Sequence, residues 1–499
     1  MGGKVLITAR TGSERQHYRD KVQRCLCALA RMLAEGSFSF ERQHIGLEIE
    51  LNLVDKDMRP AMANAEVLAK LDDPSFQYEL GQHNIELNVE PRPLAGDGVL
   101  DLAEQLKDSL AKADTKAGDA GARIAMIGIL PTLRARHFKR KWLSANPRYA
   151  VLNEKIFAAR GEDTVLDIEG VPLPSAGSEH LLHFADSILP ESANTSTQLH
   201  LQVAPADFAA NWNAAQALAG VQVALAANSP FLLNRALWHE TRIPLFLQAT
   251  DTRPPELRNQ GVRPRVWFGE RWITSIFDLF EENARYFPSL LPLTDAQDPL
   301  NELDAGRAPS LFELRMHNGT VWRWNRPIYD VVDGIPHLRV ENRVLPAGPT
   351  VVDMMANAAF FYGAVRALSE QEPALWTRMP FQVAEDNLYA GARRGMDAQL
   401  CWPGTGWIRP DDLVLGTLLP MAHEGLRRCG VSDKARERLL GVLEHRCVAR
   451  RTGSLWQRET VTALERSGLS RNAALCGMLR RYLEHMRTGE PVHTWPSAR

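Results

Sequence analysis

A chain of 499 residues that is 45% apolar and 24% charged has ample material for a core, and a prior of about 150 residues per domain allows three domains or one large unit. Its 60 acidic and 58 basic side chains leave a net charge of −2, which argues against a general polyanion binder, since those carry a clear basic excess. Six cysteines without a CxxC pair or a repeated zinc spacing exclude a disulfide scaffold and point to reduced thiols, and no run approaches the ~18 apolar residues of a membrane span. With no apolar core of signal length from Met1 to Arg15, the expected location is the cytoplasm.

Helical spacing from Tyr18 to Glu35 ends at Gly36, a candidate C-cap. The period then changes to two. Ile45, Leu47, Ile49, Leu51 and Leu53 alternate with Gly46, Glu48, Glu50 and Asn52, which predicts a strand. A second strand is predicted where Ile85, Leu87 and Val89 alternate with Glu86, Asn88 and Glu90, and Pro91 is expected to stop it. A helix is expected from Leu100 to Ala117. Then comes a third strand, Leu199, Leu201 and Val203 alternating with Gln198, His200 and Gln202. Helices are expected over Asn211 to Asn228 and Ile276 to Arg285. A fourth strand sets Leu338, Val340 and Val344 against Arg339, Glu341 and Arg343, and Thr350 to Glu370 reads as helix. Beyond Glu370 the pattern is mainly helical, near Asp411 to Cys429, Ser432 to Ala449 with a Ser432-Asp433 N-cap, and Arg471 to Arg487. Trp402 to Pro410 is the best boundary candidate in that part. Without a regular βαβ rhythm the fold class is α+β with a largely antiparallel sheet, residues 1–375 forming a catalytic unit and 376–499 a helical C-terminal region.

Residues two apart on a strand project the same way. If the four strands share a sheet, one face collects Glu48, Glu50, Glu86, Glu90, Gln198, His200, Arg339, Glu341 and Arg343. Crowded carboxylates raise one another's pKa unless a cation neutralises them, and oxygen ligands with one imidazole suit magnesium or manganese. Arginines beside such metals call for an anion, and a polyphosphate meets both demands. The chain has no GxxxxGK[ST], no GxGxxG opening a helix and no HExxH. A half-solvated sheet is the better explanation of any one such strand, but four of them, one bearing His and one Arg-x-Glu-x-Arg, are harder to explain that way; their adjacency is assumed.

Several motifs in order resemble one family. Gly46-Leu47-Glu48-Ile49-Glu50 resembles the Gly-x-Glu-x-Glu opening of the second, plant- and bacterial-type glutamate–cysteine ligase family, and Glu79-Leu80-Gly81-Gln82 through Glu86-Leu87 resembles its second acidic segment. Gly128 to Thr132 is similar to its Gly-x-x-Pro-Thr turn, and Arg148-Tyr149 with Thr195 to His200 to its Arg-Tyr and Thr-x-x-Gln-x-His pair. Asn228-Ser229-Pro230 with Arg235 and Arg242, His317 to Trp322 with Arg326-Pro327, and Arg339-Val340-Glu341-Asn342-Arg343 continue the resemblance, the last shared with glutamine synthetases; Asn387 to Gly395 is a fainter match.

The resemblance implies a glutamine-synthetase-like catalytic sheet forming a funnel between ATP and amino-acid substrates. Glu48, Glu50, Glu79, Glu86, His200 and Glu341 would ligate two or three magnesium ions, with Glu90 as a fallback. Arg339 and Arg343 would hold the transferred phosphate, and Arg235, Arg242 and Arg326 the substrate carboxylates or phosphates; Arg148, Gln198 and Thr320 would bind or orient substrate and ATP. An acyl phosphate displaced by an amine would give an amide, glutamate and cysteine being the substrates the family implies. The chain departs from the pattern in spacing Glu79 and Glu86 seven apart, in lacking a Pro-Gly-Gly run, and in its long helical C-terminal part, which leaves the substrates open.

Other features read more plainly. The basic run from Arg134 to Trp142 is expected to be a solvated loop after the Pro131-Thr132 turn, contributing a cation near the phosphates, rather than a nucleic-acid surface, and His180 and His183, at a possible metal spacing, are expected to be surface or capping residues. The partners expected are small molecules, with no nucleic acid or membrane and an undetermined oligomeric state. A metal-dependent hydrolase and a catalytically silent relative remain as rivals; the arginines of the fourth strand oppose the first and the intact Glu/His set opposes the second.

Overall fold

The computed structural model describes residues 12–38, 40, 43–172 and 177–496, so most of the stretch read for a targeting segment lies outside the described residues. Its centre is a seven-stranded sheet: β1 (His44–Val54), β2 (Phe76–Tyr78), β3 (Asn84–Pro93), β4 (Arg123–Ala125), β5 (Ser196–Gln202), β6 (Asn325–Val332) and β7 (Ile335–Pro346). The spatial order is β6-β7-β5-β1-β3-β2, with β4 pairing the far end of β1, and every pairing is antiparallel. All four strands expected from alternation are present and adjacent, so the α+β, antiparallel expectation holds.

One face is the core. Ile45, Leu47, Ile49, Leu51, Leu53, Ile85, Leu87, Leu199, Leu201, Val340 and Val344 are buried, each such side chain contributing about 1.5–3 kcal/mol. Against them pack the helices Phe208–Ala226 and Val351–Ser369, apolar on all sides and buried almost throughout. Val351–Ser369 is long and apolar enough to cross a membrane, but 83% of its apolar window is buried inside the fold.

Several expectations need correction. Pro91 does not end β3, which runs on to Pro93 opposite His44; a register shift between Ile45 and Leu47 accommodates it where ladder pairing is already irregular. The helices Pro147–Arg160, Phe381–Arg394 and Gly453–Arg466, and a separate hairpin of Thr164–Glu169 with His180–Ala185, were not anticipated. His180 and His183 lie on that hairpin. Trp402 to Pro410, read as a boundary, supplies the turn and second strand of a small hairpin, Leu400–Trp402 with Gly406–Ile408. The anticipated N-cap is present: Ser432 Oγ accepts from the Ala435 amide at 3.1 Å.

The C-terminal helices share the core. Phe381–Arg394 crosses Phe208–Ala226 so closely that a Cβ on Gly391 would lie 2.3 Å from the Gly220 carbonyl oxygen. Leu419–Arg428 meets Val351–Ser369 the same way, a Cβ on Gly425 falling 1.9 Å from the Gly363 oxygen. From Asp433–Ala449 the buried Arg446 reaches Asp353 at 2.8 Å and also bonds Asn357.

Candidate functional site

The strand register sets the polar face. Arg326, Glu341 and His200 stand side by side on β6, β7 and β5, Glu48 lies between Gln198 and Asn88, and Glu50 lies opposite Glu86. Two clusters result.

In the first, His200 Nε2 is 3.0 Å from Glu48 Oε1, while Glu341 receives Arg326 at 2.7 Å on one oxygen and Arg343 on the other. Burial works against ionisation of Glu341, but Arg326, Arg343 and His200 outweigh it and hold the carboxyl below its ordinary range. Burial likewise opposes Glu48, and His200 and Arg326 prevail. The second ring nitrogen of His200, Nδ1, is buried without a partner among the described residues.

The second cluster is Glu50, Glu79 and Glu86, which offer oxygens all within 4.8 Å of one another. Glu50 accepts from the Ser196 amide at 2.7 Å and from Gln198 Nε2 at 2.9 Å, and Arg343 also donates to Gln198. Burial and the charges of Glu50 and Glu191 push Glu79 up to about 8; burial, then Glu48, Glu79 and Glu50, raise Glu86 well above its usual value. Glu50 itself is raised by burial despite Arg343 and Arg242. Like charges directly opposite on paired strands are destabilising, and a hard divalent cation relieves that cost. The Glu50, Glu79 and Glu86 oxygens therefore fit a hard cation such as magnesium or manganese, while beside them His200 pairs with Glu48 and both oxygens of Glu341 are engaged by Arg326 and Arg343.

Two members of the site escaped the sequence reading. Glu191, in the short turn Leu189–Ala193, is pushed up to about 8 by burial and by Glu50. Tyr149 donates to the Tyr78 carbonyl at 2.9 Å and feels both Glu79 and Glu86. Neither sits in a periodic stretch; only the Arg-Tyr motif marked Tyr149, without a role.

The remaining candidates spread out. Arg339 lies 2.7 Å from His337 and 3.5 Å from Asp330, in a cavity of about 760 Å³ that Glu48, His200 and the exposed Glu90 also line. Arg148 is exposed at the start of its helix, beside Gly319. The Thr320 hydroxyl is spent on the His317 carbonyl at 2.8 Å. Arg242 is buried and engaged with Glu240 and the Val344 carbonyl, both at 2.8 Å, so it reaches Glu50 through charge alone. Arg235 is not brought to this face; it lines a different cavity.

Known proteins resemble this chain in sequence and in fold. The profile of the glutamate–cysteine ligase family 2 matches residues 44–471. A putative glutamate–cysteine ligase 2-1 of Frankia casuarinae is 27% identical over 233 residues, 44% of this chain and 54% of that protein, so the match spans about half of the relative's length. Among solved structures, the glutamate–cysteine ligase of Francisella tularensis in complex with AMP is 12% identical with a TM-score of 0.51, covering 91% of this chain and 90% of that one. A bifunctional glutathione synthetase from Pasteurella multocida is 10% identical with a TM-score of 0.50, covering 93% of this chain and 55% of that one. At these identities the two structures speak to the fold. The family match runs through every strand of the acidic face, and the chain belongs to glutamate–cysteine ligase family 2.

Proposed function

We propose that this chain is an ATP-dependent carbon–nitrogen ligase that joins a carboxylate to an amine, with glutamate and cysteine as the first pair to test. The observation that carries the reading is the convergence on one sheet face of the metal-suited Glu50, Glu79 and Glu86 with the Glu48–His200 pair and with Glu341 held between Arg326 and Arg343. Family membership supports the same reaction class.

Bound magnesium or manganese would neutralise the carboxylates and draw electron density from the nucleotide's phosphate oxygens. In this account ATP enters through the 760 Å³ mouth, where Arg339 is placed to meet phosphate. Arg343, fixed by Glu341 and Gln198, points into the interior, where negative charge builds as the phosphoryl group moves. The acceptor carboxylate oxygen attacks the γ-phosphorus as its bond to ADP breaks, giving an acyl phosphate and ADP. The amine nitrogen then attacks the acyl carbon, phosphate leaves with the bonding pair, and the amine loses a proton. Tyr149 feels Glu79, Glu86, Arg148 and Glu191, and Arg148 lies beside Gly319; we assign the carboxylate and amine substrates to this end of the acidic face. A hydrolase of neutral substrates has no use for Arg326 and Arg343 beside Glu341.

The test is phosphate release from ATP and magnesium with glutamate alone and with single amines. Release that requires both a carboxylate and an amine, with an amide product seen by mass, supports the proposal; ATP hydrolysis indifferent to either contradicts it.

A further inference from the structure

A second cavity, of about 820 Å³, shares no lining residue with the acidic face. Its wall comes from five parts of the chain: Arg59 after β1, Thr132 to Arg136 after β4, the hairpin strand carrying His180 and His183, the turn Leu233 to Arg235, and Asn472 and Cys476 of the helix Arg471–Thr488. No carboxylate lines it. Arg59, Arg134, Arg136 and Arg235 form no ion pair among the described residues, whereas the acids nearby are taken: Asp167 by His180 at 2.7 Å, Asp186 by Lys139 at 3.8 Å, and Glu179 by Arg471 at 2.9 Å.

Arg134 is the best-held of the four. Its Nη1 donates to the Leu133 carbonyl at 2.8 Å and its Nη2 to Asn472 Oδ1 at 2.7 Å, which fixes the guanidinium without neutralising it. Burial, the largest effect, and the charge of Arg136 lower its pKa against the opposing pull of Cys476, which also lines the cavity. Thr132 also lines the cavity; it is 3% exposed, and its hydroxyl has no partner among the described residues. Asn234 Oδ1 is likewise buried and unpaired there. Guanidinium groups in fixed positions bind phosphate or carboxylate in bidentate fashion, and the volume falls in the ordinary range for small-molecule sites.

We propose that this basic cavity is a binding site for a small polyanion, a phosphate ester or a polycarboxylate, separate from the acidic funnel. It stands whether or not the ligase reading does. The site also accounts for Arg235, which the family resemblance assigns to substrate but which the fold places here.

The experiment is calorimetric titration of the full-length protein, without magnesium, with tripolyphosphate and separately with citrate. One equivalent of either probe should bind. The double variant Arg136→Ala/Arg235→Ala, both positions being exposed, should weaken it at least about tenfold, while Arg339→Ala in the funnel mouth leaves it unchanged. Binding of tripolyphosphate alone identifies a phosphate-bearing ligand as the class, and of citrate alone a polycarboxylate. Arg59→Glu serves as an independent variant should the double one melt early, and it too should weaken binding. No binding of either probe, binding that survives all the cavity variants, or binding lost in Arg339→Ala overturns the proposal.

Discussion

Glu50 and Glu86 face each other across β1 and β3, and Glu79 and Glu191 crowd the same end. Glu79 and Glu191 titrate near 8 in the fold because burial first, and then neighbouring carboxylates, disfavour the charged form. In the unfolded chain they titrate at about 4.3. A folded pKa raised above the unfolded one gives stability that is full below about pH 4.3 and is lost as pH rises through about 8. Chelator-treated protein should therefore melt at progressively lower temperature from about pH 5 to about pH 8, and excess magnesium should flatten that slope. A melting temperature equally pH-sensitive with and without magnesium would count against the metal assignment. Glu48→Gln should lower ATP turnover by about a hundredfold or more with an unchanged circular dichroism spectrum; full activity in that variant would remove Glu48 from the metal set.

At the scale of elements, the strands were legible because each of their faces is chemically uniform: Ile45 to Leu53 on one side, Glu48 and Glu50 on the other. The end of β3 was not, since a proline at an irregular pairing does not terminate a strand. Glu191 and Tyr149 were illegible for a different reason: a short turn and a helix start bring them to the acidic face, and no period records that. Helix crossings were hidden too, because Gly363 and Gly425 lie 62 positions apart, and nothing in the sequence pairs them. Gly425→Ala should destabilise the protein by about 1–3 kcal/mol in urea denaturation, through the clash with the Gly363 carbonyl. Arg446→Ala leaves Asp353 buried without its cation and should cost about 3–5 kcal/mol. A neutral result for Arg446→Ala would mean that the helix Asp433–Ala449 is not tied to Val351–Ser369 by that pair.

For the whole molecule, one apolar core runs from the sheet through Val351–Ser369 to the last helix, where Tyr482 reaches both Asn228 and the Met126 carbonyl at 2.8 Å. The C-terminal helices thus brace the turn at Gly128 and the Asn-Ser-Pro segment behind the acidic face. The family motifs mark the strands of the acidic face, and the sheet register brings Glu50 and Glu86 opposite each other and Glu341 beside His200. The proposed substrate end, around Arg148 and Gly319, lies outside the periodic strands. The central claim, ligation at the acidic face, is tested most directly by incubating the protein with ATP, magnesium, glutamate and cysteine while following phosphate release and product mass. The account predicts phosphate release that needs all four components, one amide formed per phosphate, and loss of both in Glu48→Gln. Phosphate released at the same rate without any amine or carboxylate, and with no amide at any mass, would contradict it.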